Sequence, residues 1–448
     1  MMEKVRIANG QGFWGDSVDA PFNLIKYGNI DYLTLDYLAE VTMSIMQRQK
    51  EKNPNAGYAT DFVKLVDKSA NYISQNKIKI IANAGGVNPQ SCRRELLKIF
   101  KRENINLKVA IVVGDDIFDS LEEVVSKGED LDNLYTLEKF DLIKDRVYSA
   151  NVYIDSFSIA EALSLGADIV LCGRVSDPGL VVGPCIYEFG WNRNNFNKLA
   201  SATVAGHIIE CGAQCTGGNF SKWMDVEDLD NIGYPIASIA KDGTFDILKP
   251  EQTGGLINKF TITEQILYEL GNPKKYISPD ICVDFTTLKL SETSKNVVSV
   301  SDVKGFKSTD TYKVSISYFD GYKASGQLTI SGPDALAKAK KAASIIWKKL
   351  KNSGSQFDAT STEFLGLSSC HGGLSKMPNV VNELVLRLGV KSMCKKSVSR
   401  FTKELAPLIT AGPPGITGFA EGRPKVKEVI AYWPALINKR LIKTKSYI

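Results

Sequence analysis

Short apolar runs alternate with helical patterns through the first half of the chain. The runs are nearly all hydrophobic, each is followed by glycine or a polar residue, and they cover residues 5–8, 32–35, 78–82, 107–113 and 168–172. Residues 158–166 follow a helical pattern that ends at a glycine. Apolar strands that alternate with helices are typical of a parallel sheet covered on both faces. We therefore predict an α/β fold with a layered, mostly parallel sheet for residues 1–235.

The pattern changes from about residue 236 onward. Residues 311–318 alternate polar and apolar side chains, as a half-exposed antiparallel strand does. The segment 319–322 has the composition of a turn, so we predict a hairpin whose second strand covers 324–330. A helix with one apolar face follows from residue 334. These features predict a second, α+β domain over residues 236–350, and a C-terminal segment, 351–448, that packs back on the first domain.

Composition and charge argue against several classes of protein. The 448 residues carry 55 Lys and Arg against 50 Asp and Glu, a formal net charge of +5. The densest lysines, between residues 338 and 351, flank apolar residues at helical spacing, so we expect a solvated helix face and no nucleic acid partner. No run reaches the ~20 apolar residues of a membrane-spanning helix. The eight cysteines form no C-x-x-C pair, and without a secretory signal we expect a cytoplasmic protein with reduced thiols.

Small and polar residues gather directly after the predicted strands. Ligands of parallel sheets bind at the carboxyl ends of the strands, so the candidates for a site are Gly10, Gly12, Asp16, Asp36, Glu40, Asn83, Gly85, Gly86, Asp115, Asp116, Arg174 and Asp177. Glycines there let a ligand approach the backbone, and N–H groups at the next helix hold anions such as phosphate or carboxylate. The structural alternative is that such turns favour Gly, Asn and Asp without any ligand.

The sequence does not identify a cofactor. Residues 10–15 have the G-x-G-x-x-G spacing of dinucleotide-binding loops, but Pro21 interrupts the helix that would receive the pyrophosphate. A nicotinamide or flavin enzyme is therefore a weakly supported alternative. Asp36 and Glu40 are four residues apart, at a spacing that would let Mg²⁺ bridge two carboxylates to a substrate.

Only two histidines, His207 and His371, are available for acid–base chemistry. On a helix His207, Glu210 and Cys211 share one face. Glu210 would then orient the imidazole, which would act as a base or lower the pKa of the thiol. The alternatives are a buried polar helix face, and a zinc site that adds Cys215 and needs a fourth ligand.

Further candidates for substrate binding lie in glycine-rich loops. The loop after the cysteines would wrap an anion or an acyl group through Gly217, Gly218 and Asn219. Arg423 follows a rigid segment rich in Gly and Pro and, like Arg174, is a candidate clamp for a carboxylate or phosphate. His371 stands before two glycines in a loop, from which it would reach the same cleft.

Several specific segments stand in order along the chain: GQGFWGD at 10–16, DYLAEVTM at 36–43, GYATDF at 57–62, NAGGVNP at 83–89, GRVSDP at 173–178, GHIIECG at 206–212, TGGNF at 216–220, AGPPGITGF at 411–419 and GRP at 422–424. In this order they resemble the acyclic terpene utilisation family, AtuA, over nearly the whole chain. The resemblance implies a role in catabolism of citronellol- and geraniol-type acids as CoA thioesters, beside acyl-CoA carboxylases and dehydrogenases. It establishes no catalytic residue. The small C-terminal domain of some relatives is expected to be absent or on a separate polypeptide.

We therefore expect an enzyme that acts on a carboxylate or branched acyl-CoA intermediate, of lyase, hydratase or hydrolase type. His207 would be its acid or base with Glu210 as the orienting group, and Asp36, Glu40 or Asp177 would be a second acid–base group. The alternative is a non-catalytic acyl-CoA-binding or accessory subunit of a carboxylase or lyase assembly. We expect a homo-oligomer, with acyl-CoA carboxylase-type proteins or a separate small AtuA C-terminal domain protein as candidate partners.

Overall fold

A computed structural model describes residues 3–38, 42–376, 378, 380–418 and 422–448. The chain forms two compact units, of which unit 1 comprises residues 1–317 and 432–448 and unit 2 comprises residues 318–431. These bounds differ from the predicted segments 1–235, 236–350 and 351–448, because the chain enters unit 2 at Tyr318 and returns to unit 1 at Tyr432. No helix in the described part of the chain is long and apolar enough to cross a bilayer.

The strands and helices are numbered in chain order. The strands are β1 (Lys4–Asn9), β2 (Tyr32–Leu35), β3 (Lys79–Ala82), β4 (Val109–Val113), β5 (Val147–Val152), β6 (Ile169–Leu171), β7 (Ile236–Ala240), β8 (Phe245–Leu248), β9 (Tyr276–Ile277), β10 (Ile281–Asp284), β11 (Lys289–Ser294), β12 (Val297–Ser301), β13 (Lys304–Lys307), β14 (Thr311–Ser331), β15 (Ala359–Leu365), β16 (Glu383–Ser392), β17 (Ile416–Thr417), β18 (Lys427–Asn438) and β19 (Lys445–Tyr447). The helices are α1 (Ala20–Tyr27), α2 (Thr42–Lys52), α3 (Thr60–Asn76), α4 (Pro89–Glu103), α5 (Leu121–Ser126), α6 (Phe157–Ser164), α7 (Gly179–Phe189), α8 (Phe196–Ile209), α9 (Lys259–Leu267), α10 (Ala335–Asn352), α11 (Lys395–Phe401) and α12 (Leu408–Ala411).

Neighbouring strands of unit 1 run parallel in the order β1-β2-β3-β6-β4. Their side chains are buried on both faces, and Leu33 and Ile80 pack in one core with Leu24 of α1, Phe62 of α3 and Leu96 of α4. A strand buried on both faces must be apolar throughout, so the apolar runs identify these strands in the sequence. Because the strands are parallel, their carboxyl ends lie at one edge of the sheet.

The α/β fold is confirmed, but the mostly parallel sheet is not. Antiparallel strands extend the parallel group on both sides, and the full order is β11-β12-β8-β7-β1-β2-β3-β6-β4-β19. The added strands come from beyond residue 235. Antiparallel neighbours need only short connections, such as the turn with Gly243 at φ +100° between β7 and β8. The apolar runs of the first half of the chain therefore do not predict these antiparallel strands.

Helices α7 and α8 lie in the interior of unit 1, since nearly all their residues are buried. Gly206 of α8 lies against Pro178 before α7, where an added Cβ would come within 2.7 Å of the proline Cα and O. This close approach leaves no room for a side chain at residue 206. The small antiparallel sheet β13-β10-β9 completes this part of unit 1.

Unit 2 is an antiparallel sheet of order β15-β16-β14-β17 with α10 packed on it. The apolar face of α10, including Ile346 and Leu350, packs with Leu386 and Leu388 of β16 in one core. The opposite face carries exposed lysines such as Lys341 and Lys348. The lysine-rich segment is therefore an amphipathic helix, as its spacing predicts.

The predicted hairpin at residues 319–322 is wrong. β14 runs without interruption from Thr311 to Ser331, so 324–330 continues the same strand. Gly321 lies within it at φ +89°, and an added Cβ would come 2.9 Å from the carbonyl oxygen of Ser392 in β16. A glycine inside a strand often marks such a close backbone approach rather than a turn.

We predict that Gly114→Ala destabilises unit 1 more than Gly128→Ala does. Both glycines have positive φ, +115° and +94°, so both substitutions carry backbone strain. A Cβ at Gly114 would also overlap the carbonyl oxygen of Lys443, just before β19, whereas none of the described atoms lies within 4 Å of a Cβ at Gly128. The extra loss should be about 1–3 kcal/mol in urea unfolding. Equal losses for the two variants would show that the segment before β19 moves aside freely.

Candidate functional site

Polar side chains from three loops meet at the carboxyl edge of the parallel strands. Asp36 follows β2, Asn83 follows β3, and Arg174 and Asp177 follow β6. Asn83 donates a hydrogen bond from Nδ2 to Asp36 Oδ1 at 2.6 Å, and its own Oδ1 accepts one from the N–H of Tyr37 at 2.7 Å. The Asp36 carboxyl is thereby held inside the protein, with the residue only 5% exposed.

Arg174 is a buried cation that joins two of these loops. Its Nη1 lies 2.9 Å from Asp177 Oδ1 and donates to the carbonyl oxygen of Leu38. The guanidinium carbon lies 4.2 Å from the ring centroid of Tyr153. Burial lowers the pKa of Arg174, but Asp177, Tyr153 and Asp36 outweigh this effect and hold the pKa above its ordinary value. The guanidinium therefore stays charged.

Two buried carboxyl groups bind protons at unusually high pH. Burial raises the pKa of Asp36 to about 8, the charge of Asp177 adds to the shift, and Arg174 partly offsets it. Burial also raises the pKa of Asp115 to about 7, although Asp115 Oδ2 accepts hydrogen bonds from the N–H of Arg174 at 2.7 Å and from Asn151 Nδ2 at 3.1 Å. A carboxyl group that is protonated near neutral pH is suited to general acid catalysis.

His207 and Glu210 form a buried pair at the end of α8. His207 Nδ1 lies 3.4 Å from Glu210 Oε1, and Nε2 lies 3.3 Å from the carbonyl oxygen of Ile266. The rings of Tyr276 and Phe285 pack edge-on against the imidazole. Burial lowers the pKa of His207, but the contact with Glu210 outweighs it and the pKa is raised. Burial raises the pKa of Glu210 to about 7, so the pair exchanges protons near neutral pH.

Asp177 couples this pair to the loops of the sheet. Its charge raises the pKa of both Asp36 and Glu210, as like charges do at short range in a protein interior. Four buried polar atoms here have no hydrogen-bond partner among the described residues, namely Ser176 Oγ, Asp177 Oδ1, His207 Nδ1 and Glu210 Oε2. Buried polar atoms are nearly always satisfied, so unpaired atoms of this kind set the cluster apart from the ordinary interior of the protein. We name the acid cluster as Asp36, Arg174, Asp177, His207 and Glu210.

Cys211 is a thiol, not a thiolate, at neutral pH. Burial raises its pKa to about 12, and the charge of Glu210 adds to the shift. The zinc alternative assumed one helix through Cys215, but α8 ends at Ile209 and Cys215 lies in the 3₁₀ helix Gly212–Thr216. Across the residues that the structure describes, no group of three or more His, Cys, Asp or Glu side chains is placed to hold a metal ion.

The loop after β1 packs against the end of α8. Asn9 donates from Nδ2 to the carbonyl oxygens of Ile209 at 2.9 Å and Glu210 at 2.7 Å. An added Cβ at Gly12 would lie 3.0 Å from the backbone of Cys211. The glycine therefore allows the loop and the helix end to come together beside the acid cluster.

Several of the glycine N–H groups proposed for anion binding already have acceptors within the protein. They donate at 2.9 to 3.3 Å in the pairs Gly10 with Thr34, Gly12 with Asp16, Gly86 with Asn83, and Gly218 with Ala213. Asp16 also accepts from the hydroxyl of Tyr234 at 2.6 Å. In this conformation these glycines shape the loops, and their N–H groups are not free to hold a phosphate.

The remaining glycine candidates differ in their surroundings. A Cβ at Gly85 would lie 3.0 Å from the carbonyl oxygen of Cys172, so this glycine also serves a close approach. Gly217 and Asn219 have positive φ, +106° and +57°. Gly218 and Asn219 line a small pocket of about 130 Å³ beside α9.

The acid cluster, as the structure describes it, does not include three of the predicted candidates. Glu40 is outside the described residues, so its pairing with Asp36 through Mg²⁺ stays a prediction. His371 and Arg423 belong to unit 2, where both are exposed. Their roles also stay predictions.

Other residues contribute to the site without having been singled out from the sequence, namely Asn9, Tyr153, Ser176 and Gln265. Asn9 could have been predicted from the sequence, because it ends an apolar run. A polar residue at the carboxyl end of a parallel strand lies at the edge of the sheet where ligands bind. Gln265 of α9 donates from Nε2 to the carbonyl oxygen of His207 at 3.3 Å. Residues this distant in sequence meet only through the tertiary fold.

The family model for "Acyclic terpene utilisation family protein AtuA" matches residues 5–448. The chain belongs to the AtuA family. Comparison with curated proteins and with solved structures gave no match. The acid cluster therefore lies within the region that the AtuA model covers, and its chemistry is inferred from the side chains themselves.

We predict that Asp36→Asn flattens the dependence of stability on pH. The fold raises the pKa of Asp36 from 3.8 to about 8, so it favours the protonated form. Protonated Asp36 therefore makes its full contribution to the free energy of unfolding below pH about 4. This contribution is lost as pH rises to about 8, by up to ~1.4 kcal/mol per pH unit for one proton. The asparagine oxygen can still accept from Asn83 and from the N–H of Leu38, which the carboxylate accepts at 3.0 Å.

Urea unfolding between pH 4 and pH 9 measures this effect, with Asp145→Asn as the control because Asp145 is exposed. Wild type and Asp145→Asn should lose stability in parallel as pH rises, whereas Asp36→Asn should lose less. Identical slopes for all three proteins would show that Asp36 is ionised in the fold at neutral pH.

Proposed function

We propose that this AtuA protein is an enzyme that acts on a carboxylate or branched acyl-CoA intermediate of acyclic terpene or branched-chain acid catabolism, as a lyase or hydratase. The family match supports the connection with acyclic terpenes. The reaction type is supported by one observation above all, the buried Asp36 carboxyl with a pKa of about 8 next to the charged groups Arg174 and Asp177.

The acid cluster favours proton transfer over nucleophilic attack. Addition of water to an unsaturated acyl thioester needs a base that takes a proton from water and an acid that gives one to carbon; elimination of water needs the reverse. Asp36 holds the proton that an acid must give, and the pair of His207 and Glu210 can accept one. A cysteine hydrolase would need a thiolate, and the raised pKa of Cys211 argues against one.

Arg174 has a positioning role in this proposal. Its guanidinium binds Asp177 and the backbone at Leu38, which leaves it fixed next to Asp36. A fixed positive charge beside the cluster keeps Asp177, whose side chain is 35% exposed, close to the proton-carrying groups. Arg174 would therefore set the proton affinity of the cluster, and a substrate oxygen would add to its existing contacts.

We predict that Asp36→Asn lowers kcat by about 10²- to 10⁴-fold on the substrate that the wild type turns over. Unsaturated and hydroxylated branched acyl-CoA esters are the compounds to assay, together with their free acids. Wild-type kcat should fall as pH rises through about 8, where Asp36 loses its proton. A rate that increases through the same pH range would contradict the role of Asp36 as an acid.

Two comparisons make the assay specific. Cys211→Ser should affect kcat much less than Asp36→Asn, and an equal or larger loss would point to a cysteine hydrolase. If branched acyl-CoA esters raise the melting temperature but no product forms with any of them, the protein is a binding or accessory subunit and the enzymatic proposal fails.

A further inference from the structure

Helix α9 carries apolar side chains on its outer face as well as on its inner face. The inner face buries Ile262 and Ile266 in unit 1. On the opposite face Phe260 and Leu267 are each 63% exposed, and their spacing of seven residues places them on one side of the helix. The solvent face of a surface helix normally carries polar residues. The outer face of α9 is therefore expected to be covered by another surface.

A second exposed segment lies along this helix. The N–H of Ser221 donates to Glu264 Oε2 at 3.1 Å, and Lys222 Nζ lies 5.3 Å from the centroid of the Phe260 ring. The segment next to these contacts adds two large exposed apolar side chains, Trp223 (61% exposed) and Met224 (80% exposed). Two stretches of the chain that are distant in sequence thus form one continuous apolar surface.

This surface has the size and the composition of a protein interface. We name the α9 face as Trp223, Met224, Phe260, Leu267 and the half-exposed Tyr268. Since a large aromatic side chain has roughly 150–250 Å² of surface, the five residues together expose on the order of 500–700 Å². A stable complex buries about 800 Å² on each partner. The α9 face supplies most of this area, and its aromatic residues and Met are enriched in interface cores.

The charges next to the α9 face have both signs. Lys222 and Asp225 flank the exposed Trp and Met, whereas Lys259 lies at the first position of α9 and Glu269 follows its last turn; all four are exposed. Glu264 lies within the face. A partner with charge of one sign, such as a basic peptide or an anionic membrane, would leave some of these charges opposite like charges. A second copy of the chain carries both signs itself.

A twofold axis brings the opposite charges together. Two copies of α9 that pack antiparallel across such an axis place Phe260 of one copy against Leu267 and Tyr268 of the second copy. The same arrangement places Lys259 of each copy near Glu269 of the other. One apolar surface then covers the other, as in an isologous dimer.

We propose that the α9 face is a dimer interface, in which α9 packs antiparallel on α9 of a second copy across a twofold axis. The inference goes beyond the proposed function and does not depend on it. The inner face of the same helix contacts the acid cluster, since the carbonyl oxygen of Ile266 lies 3.3 Å from His207 Nε2. The dimer therefore holds in place a helix that supports the acid cluster.

Sedimentation velocity of the full chain between about 1 and 100 μM tests the proposal, because a dimer with a micromolar Kd dissociates in this range. The wild type should sediment as a dimer at the upper end. Phe260→Ser and Leu267→Ser should each raise the Kd of the dimer by about 30-fold or more, as the loss of an interface hot spot does. Both side chains are largely exposed, so the variants should fold.

Leu142→Ser is the matched control. Leu142 is 59% exposed, close to the 63% of Leu267, and it lies in the segment between β4 and β5, outside the α9 face. This variant should dimerise like the wild type. A wild type that stays monomeric at 100 μM would overturn the proposal, even if the α9 face then bound another protein. A dimer that persists unchanged in Phe260→Ser and Leu267→Ser would overturn it as well.

Charge reversal tests the antiparallel arrangement. Lys259→Glu and Glu269→Lys should each weaken the dimer by about threefold to tenfold, because each places like charges opposite one another. The double variant restores opposite charges across the axis and should recover most of the wild-type affinity. Single variants without effect, or a double variant weaker than both, would show that these ends of α9 do not meet and would overturn the arrangement.

Discussion

The guanidinium of Arg174 lies inside unit 1, and the arrangement of the candidate site depends on it. It binds the Asp177 carboxylate and the backbone at Leu38, so it ties the loop after β6 to the loop after β2. Desolvating a guanidinium is expensive unless its partners are fixed in place. Here Asp177 and the Tyr153 ring supply the compensating contacts, and removing Asp177 would leave a buried cation without its carboxylate partner.

Burial, together with the charge balance around Arg174, explains why the carboxyl groups of Asp36 and Glu210 have raised pKa values. Asp36, Asp177 and Glu210 interact with one another, and Arg174 is the permanently charged cation that acts on Asp36 and Asp177. One positive charge cannot balance all of these carboxylates in a low-dielectric interior. Burial is the largest cause of the raised pKa values of Asp36 and Glu210, and the charge of Asp177 adds to it. A group of side chains that would be inert on the surface thereby becomes able to exchange protons near neutral pH.

Backbone contacts bring these side chains together. Gly12 and Gly206 allow the first loop, the segment at Pro178 and helix α8 to approach closely, and Asn9 binds the last carbonyl oxygens of that helix. The main role of glycine in these loops is therefore to allow close packing of the backbone. The composition of a ligand-binding loop and that of a tightly packed turn are the same, so glycine spacing alone does not distinguish them.

The local sequence pattern was sufficient to predict the parallel strands and the amphipathic helix α10. It also placed Asp36, Asn83 and Arg174 at the ends of strands. These features follow from short-range periodicity and from the rule that parallel strands end at one edge. Tertiary structure alone decided the antiparallel extensions of the sheet, the uninterrupted course of β14 through Gly321, the protonation of Asp36, and the pairing of Gln265 with His207. Each of these features depends on which distant segments come into contact and on how much water they exclude. Neither can be predicted from the local order of residues.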